Sequence, residues 1–430
     1  MAAAGQPARG AALWLIGQVL DECRPLDQAW EAALAKGGRL AGLSPRDRAF
    51  ARLLTATVLR RLGQIDDAVA RCLTRPLDSR GAPARNVLRL AAAQLLFLDT
   101  PPHAAVDGAV RQVSRHVHLK GLVNAVARRL TQERTALLEG QDAERLNCPD
   151  WLWRSWAAAY GEAETRQAVA ALLREPPLDL SARDDAAAWS EALQAERLPT
   201  GTLRRAAGGA VEGLPGYAEG AWWVQDAAAA LPARLLGDVQ GREVIDLCAA
   251  PGGKTAQLAA AGARVTAVDA ASERMRRLRR NLKRLHLNAR VVVADAETWR
   301  PEQPAGHVLL DAPCSSTGTI RRHPDIWHLK TPADVAAMAA SQNRLLRAAV
   351  DMLAPGGVLV FCTCSLQPEE GPERIAALLA GGAPVARRPV TADELAGHGE
   401  LITPDGDLRS LPHQMGGMDG FYACRLVRNA

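Results

Sequence analysis

The second half of the chain alternates between strand-like and helix-like segments. From residue 216 the pattern reads VIDLC (244–248), a helix at 253–261, RVTAVD (264–269), a helix at 272–286 and RVVVAD (290–295). It continues with HVLLDAP (307–313), a helix at 333–353, GVLVFCT (357–363), a helix at 370–379 and FYACRLV (421–427). Strands separated by helix-length crossovers pair in parallel, and parallel sheets need helices on both faces. The expected fold is a doubly wound, mostly parallel α/β sheet with ligands at the carboxyl ends of its strands.

A chain of 430 residues is long for one core. Residues 1–145 read as helical throughout, with helices at 11–22, 25–36, 45–62, 65–74, 83–98, 103–115 and 120–138. Residues 146–215 form an α+β connector holding a Trp-rich helix (Trp151, Trp153, Trp156), the strand LDLSA and a helix at 185–196. Three parts are therefore expected: all-α 1–145, connector 146–215 and catalytic α/β 216–430. Residues 1–150 carry 21 Lys/Arg against 15 Asp/Glu, whereas the remaining 280 carry 31 against 32. A basic helical part beside a neutral α/β part suits docking to a polyanion.

No segment approaches the ~18 apolar residues of a membrane span. AALWLIGQVL runs directly into Asp21 and Glu22, as an amphipathic helix does and a secretion signal does not. The eight cysteines follow no disulfide framework, and Cys362-x-Cys364 has no second ligand pair for zinc. A cytoplasmic protein with free thiols and no metal is expected.

The turn CAAPGGKT (Cys248, Ala249, Ala250, Pro251, Gly252, Gly253, Lys254, Thr255) lets the backbone approach a ligand and opens a helix whose N–H groups are unpaired. A P-loop would need glycine where Cys248 stands, and GxGxxG is absent. Asp269 ends the next strand, 23 residues after Asp246, where a carboxylate takes ribose hydroxyls. Asp295 ends the third, positioned either for an adenine amino group or simply to close a turn.

Two further strand ends carry thiols: Asp311-Ala312-Pro313-Cys314 and Thr363-Cys364-Ser365. Cys362, two residues inside the second, reads as structural. IRRHPDIW (320–327) brings Arg321, Arg322 and His323, suited to RNA phosphate. The helix RMRRLRRNLKRL (274–285) carries seven cations and reads first as a solvated face. Two thiols with Asp311 and Lys254 nearby suit methylation at cytosine C5. That carbon is a poor nucleophile until a thiolate adds at C6, and the adduct must later be eliminated. S-adenosylmethionine is then the economical cofactor, with Asp311 on the N3/N4 edge of the base.

DLCAAPGGKT, VDAASERM, VVVADA, LLDAPCSSTG and VFCTCSLQPEE together resemble the RNA cytosine-C5 methyltransferases, a Rossmann-like group dependent on S-adenosylmethionine. The resemblance implies Cys364 as nucleophile, Cys314 in product release, and cofactor contacts from Cys248–Lys254, Asp269, Asp295 and Asp311. RDRAFARLL (46–54), VLRLAAAQLLFL (87–98), PPHAAVDGAV (101–110) and KGLVNAVARRL (120–130) resemble the antitermination factor NusB, whose fold is RNA-associated. A NusB-like domain combined with RRHPDI and a late DGFYAC strand is similar to the bacterial enzymes acting on one 16S rRNA cytosine. The implied substrate is 16S rRNA, naked or in an early small-subunit particle, for a monomeric enzyme. ADA replaces the usual GD after the third strand, and Cys362 replaces a small residue. The alternatives are the same chemistry on tRNA, a catalytically silent RNA-binding factor, and a P-loop NTPase.

Overall fold

The computed structural model describes residues 5–430. They form two compact units. One takes the chain up to Arg174 together with Ile320–Lys330; the other comprises Glu175–Thr319 and Thr331–Ala430.

The first unit is all-α: α1 (Gln6–Leu20), α2 (Leu26–Leu34), α3 (Pro45–Arg60), α4 (Leu62–Cys72), α5 (Ala82–Ala92), α6 (Pro102–Gln112), α7 (Lys120–Gln132), α8 (Arg134–Glu139), α9 (Ala143–Asn147), α10 (Asp150–Tyr160) and α11 (Glu162–Leu172). Ser44 caps α3 by accepting the Asp47 N–H at 3.1 Å, with Pro45 in the first turn. The helix expected over 83–98 is α5 followed by a π-helical turn at Ala93–Phe97. Leu15, Ile16, Leu54, Leu59, Leu88 and Leu96 fill the core. The boundary differs from the three-part expectation. Helices α9–α11 belong to the first unit, where Trp156 is buried and the Trp153 indole donates to Glu162 at 3.1 Å.

The second unit opens with β1 (Leu178–Ala182), α12 (Ala186–Ala192), β2 (Glu196–Arg197), β3 (Leu203–Arg205) and β4 (Trp222–Val224), an antiparallel sheet in the order β2-β3-β1-β4. Next come α13 (Ala227–Arg234), β5 (Glu243–Leu247), α14 (Gly253–Ala260), β6 (Arg264–Asp269), α15 (Ser272–Leu285), β7 (Arg290–Val293) and β8 (Ala305–Asp311). The chain then contributes α16 (Ile326–Leu329) to the first unit. It returns for α17 (Pro332–Asp351), β9 (Leu353–Thr363), α18 (Pro372–Ala380), β10 (Val385–Arg387), β11 (Leu408–Ser410) and β12 (Phe421–Arg428).

The large sheet runs β10-β12-β9-β8-β5-β6-β7, with β11 on β12. Strands β5 to β9 pair in parallel and β12 antiparallel. Side chains alternate between faces. Leu359 and Phe361 of β9 meet α17 and α18, whereas Val360 and Cys362 meet the α13 side. From β5 the chain goes out to β6 and β7, then crosses back to β8 on the other side. The crevice between the ends of β5 and β8 is thus a topological switch point, where open α/β sheets bind ligands.

Among the described residues no helix is long and apolar enough to cross a membrane, and no cluster of His, Cys, Asp or Glu could hold a metal ion.

Candidate active site

Three adjacent strand ends converge here. Strand β5 leads into Cys248, β8 ends at Asp311 and β9 at Thr363. The loop after β8 is tied to β9 by backbone bonds from Ala312 N to the Cys362 carbonyl (2.9 Å) and Gly318 N to the Cys364 carbonyl (3.0 Å). These bonds bring residues fifty apart in sequence side by side. Cys314 Sγ and Cys364 Sγ lie 3.5 Å apart, with Ser316 Oγ 3.5 Å from Cys364 Sγ.

The two thiols are not equivalent. The Cys314 hydrogen bond favours a thiolate on Cys364 and brings its pKa below the ordinary value, against burial and with help from Ser316 and Lys254. Sharing that hydrogen bond and being buried push Cys314 well above it. The contact therefore favours the thiolate form at Cys364 over Cys314.

Glu370, which sequence reasoning did not single out, braces both cysteine turns. It is 0% exposed and accepts the Ser315 N–H at 2.7 Å as well as the hydroxyls of Ser315 and Ser365, the residues following the two cysteines. Gln342 of α17 donates to the same carboxylate and to the Pro313 carbonyl, at 3.3 and 2.8 Å. Burial pushes the Glu370 carboxyl up, with the serines pulling against it. QPEE in the sequence showed only a helix start; that a carboxylate turns back into the sheet is a tertiary fact.

Lys254 is 7% exposed, and its Nζ donates to Asp311 Oδ2 at 2.8 Å. Burial alone would lower its pKa, but the Asp311 charge more than reverses this. Lys254 therefore stays a cation and fixes the carboxylate. The Cys362 thiol donates to Asp311 Oδ1 at 3.4 Å, and burial raises its pKa well above the ordinary value. Cys362 is thus a support for Asp311, consistent with a structural reading.

The cofactor turn is built for close approach. Cys248 (φ 59°) and Gly252 (φ 104°) occupy the left-handed region, and a Cβ on Gly252 would stand 2.9 Å from Leu278 Cγ. Asp269, 2% exposed, accepts Ala250 N (3.3 Å) and Ala271 N (2.8 Å) and pairs with Arg274 (3.0 Å). Asp246, fully buried, accepts the Thr255 hydroxyl at 2.5 Å, and burial pushes its pKa up to about 7. Its other oxygen has no hydrogen-bond partner. An orphaned buried acceptor, an open helix N-terminus and a strand-end carboxylate fit a cationic ligand with a ribose. Asp295 is exposed and accepts the Glu297 N–H at 2.9 Å, closing a turn beside Val293, whose apolar side chain is 46% exposed.

The RRHPDIW residues belong to the helical unit. Arg321 is 2% exposed, folded into the helical unit where Arg60 donates to its carbonyl at 2.9 Å. It is therefore no exposed phosphate contact, in correction of that expectation. His323 lies 3.6 Å from Asp27, and Arg322 is exposed.

Comparison with known proteins gives a consistent answer. Residues 233–427 match the 16S rRNA methyltransferase RsmB/F family, and residues 6–132 the NusB family. The ribosomal RNA small subunit methyltransferase B of Cronobacter sakazakii is 36% identical over 435 residues, covering 93% of this chain and 97% of its own. This chain belongs to the RsmB/F family. A second member, from Yersinia pestis, is 35% identical over 442 residues, covering 98% of each chain. The RsmB/F assignment makes it a methyltransferase dependent on S-adenosylmethionine, with a NusB-type helical domain in front. Solved structures agree on the fold. The crystal structure of PH0851 superposes with a TM-score of 0.74 at 23% identity over 99% of both chains. NSun6 from Pyrococcus horikoshii superposes with a TM-score of 0.56 at 19% identity, covering 66% of this chain and 98% of its own.

Proposed function

We propose that this protein methylates C5 of one cytosine in 16S rRNA, with Cys364 adding covalently to C6. The observation carrying this reading is the thiol pair: Cys314 Sγ stands 3.5 Å from Cys364 Sγ at the end of β9, beside the Asp311–Lys254 pair. The rRNA substrate rests on family membership and on relatives named as small-subunit methyltransferases.

S-adenosylmethionine, when bound at residues Cys248–Lys254 with Asp269 and Asp295, supplies an electrophilic methyl group on a sulfonium. Everything else falls to the chain. The Cys364 thiolate attacks C6, and the electron pair of the C5–C6 bond becomes available at C5. Asp311, held by Lys254 and Cys362, accepts from the cytosine N4 amino group and orients the ring. C5 takes the methyl group and then loses H5 to a base; the electrons of the C5–H bond re-form the double bond and expel the Cys364 thiolate. Cys314, in contact with that sulfur, assists the release. The first unit, with Arg322 exposed on it, docks RNA.

Methyl-labelled cofactor with unmodified 16S rRNA, 23S rRNA and bulk tRNA tests the reading. Label at C5 of a single 16S cytosine is expected. Label on tRNA alone would overturn the substrate and leave the chemistry standing. Label at another atom of the base would overturn the covalent mechanism.

A further inference from the structure

Seven cations lie between Arg274 and Leu285. The fold gives several of them partners. Arg274 pairs with Asp269 at 3.0 Å and Arg276 with Glu273. Arg284 turns inward, donating to the carbonyls of Tyr217 and Trp222 at 2.8 and 3.2 Å and stacking on the Tyr217 ring at 4.2 Å. Arg279, Arg280 and Lys283 remain exposed, with no acidic partner among the described residues.

A face that served only solubility would mix signs, and like charges three and four residues apart destabilise a helix. Arg276/Arg280 and Arg279/Lys283 are both such pairs. A lipid surface is a poor match, because membrane-lying helices expose an apolar face, whereas Met275, Leu278, Leu282 and Leu285 are all buried in the unit's own core. Past the helix the charge is mixed, with Arg234 as a further cation. Arg183 donates to the Leu285 carbonyl at 3.2 Å, pairs with Asp184 at 2.9 Å, and with it lines a cavity of about 300 Å³ together with Arg234, Trp223 and Thr202. Arg234 has no acidic partner among the described residues, and the buried Thr202 hydroxyl has no hydrogen-bond partner. Helix α15 starts beside Asp269, at the strand ends where the base must enter, and its 14 residues run about 21 Å away from them.

We propose that the exposed face of α15, centred on Arg279, Arg280 and Lys283, is a second docking surface for the substrate RNA. It holds backbone phosphates and reads no bases. The proposal rests on the RNA-methylating reading above.

The test is the full-length Arg279→Gln/Arg280→Gln/Lys283→Gln variant binding transcribed, unmodified 16S rRNA at a series of potassium chloride concentrations. Three lost phosphate contacts should lower the slope of log affinity against log salt by about 2 to 3. KM for RNA should rise tenfold or more, with kcat at saturating RNA and cofactor affinity unchanged. An unchanged slope and KM would overturn the proposal and leave a solvated face. If the unmutated protein methylates no RNA, the reading it rests on fails, while the salt slope still decides whether α15 touches phosphate.

Discussion

At the scale of single residues, the chemistry is set by an asymmetry between two like groups. Cys314 and Cys364 are both thiols in the same half-buried crevice, yet the hydrogen bond between them can stabilise a thiolate on only one. It lowers the Cys364 pKa and raises that of Cys314. Iodoacetamide alkylation of Cys364, followed by mass spectrometry, should therefore have a midpoint lower than that of an ordinary cysteine. Replacing Cys314 with Ala removes the donor and should move that midpoint upward. A midpoint indifferent to Cys314 would show that the contact does not activate the nucleophile. Both cysteines were legible in the sequence, since each follows an apolar run at a strand end. Their place on adjacent strand ends was expected as well, but not the direct contact of the two sulfurs, which the packing of the two loops settles. Nor was the burial of Arg321, whose neighbours in sequence look like an exposed loop.

Among the elements, the site depends on two loops held in register. Backbone bonds join them, and the Glu370 carboxylate bridges Ser315 and Ser365 from the turn before α18. Changing Glu370 to Ala leaves the buried Ser315 N–H without its acceptor, at about 1–3 kcal/mol, and the Ser315 and Ser365 hydroxyls without their carboxylate. A melting temperature several degrees lower is expected, with kcat falling more than cofactor affinity, because α14 and its turn are untouched. Glu370→Gln keeps one acceptor and should recover part of both. If Glu370→Ala transfers methyl groups at the normal rate, the cysteine loops hold their register without it. The parallel core strands and their helices were readable from period and length. The short β10 and β11 and the antiparallel entry of β12 were not, because three-residue strands carry too little pattern. The π-helical turn at Ala93–Phe97 was missed for a related reason: apolar spacing alone does not register one widened turn.

At the level of the whole molecule, the chain does not divide at a single point in sequence. Ile320–Lys330 leaves the α/β unit and completes the helical one. There Trp327, 2% exposed, packs on Trp156 with ring centroids 6.0 Å apart. His328 bonds the Leu59 carbonyl at 2.8 Å, and Asp325 accepts the Leu26 N–H at 3.0 Å. A substitution deep within the catalytic sequence should therefore weaken the N-terminal helices. Trp327→Ala should cost about 3–5 kcal/mol and show as faster hydrogen exchange in α3 and α10, with cofactor affinity retained. Exchange confined to the α/β unit would contradict this division. No local signal in RRHPDIW announces that it serves the other unit, since its partners lie some 160–300 residues earlier.

The most direct test of the covalent mechanism is to mix the Cys314→Ala and Cys364→Ala variants separately with S-adenosylmethionine and unmodified 16S rRNA, then run denaturing electrophoresis. With Cys364 as nucleophile and Cys314 assisting its release, Cys314→Ala should accumulate a protein–RNA adduct that survives denaturation. Cys364→Ala should form none and lose roughly 10⁴-fold or more in turnover. An adduct with Cys364→Ala and none with Cys314→Ala would contradict the assignment and exchange the two roles.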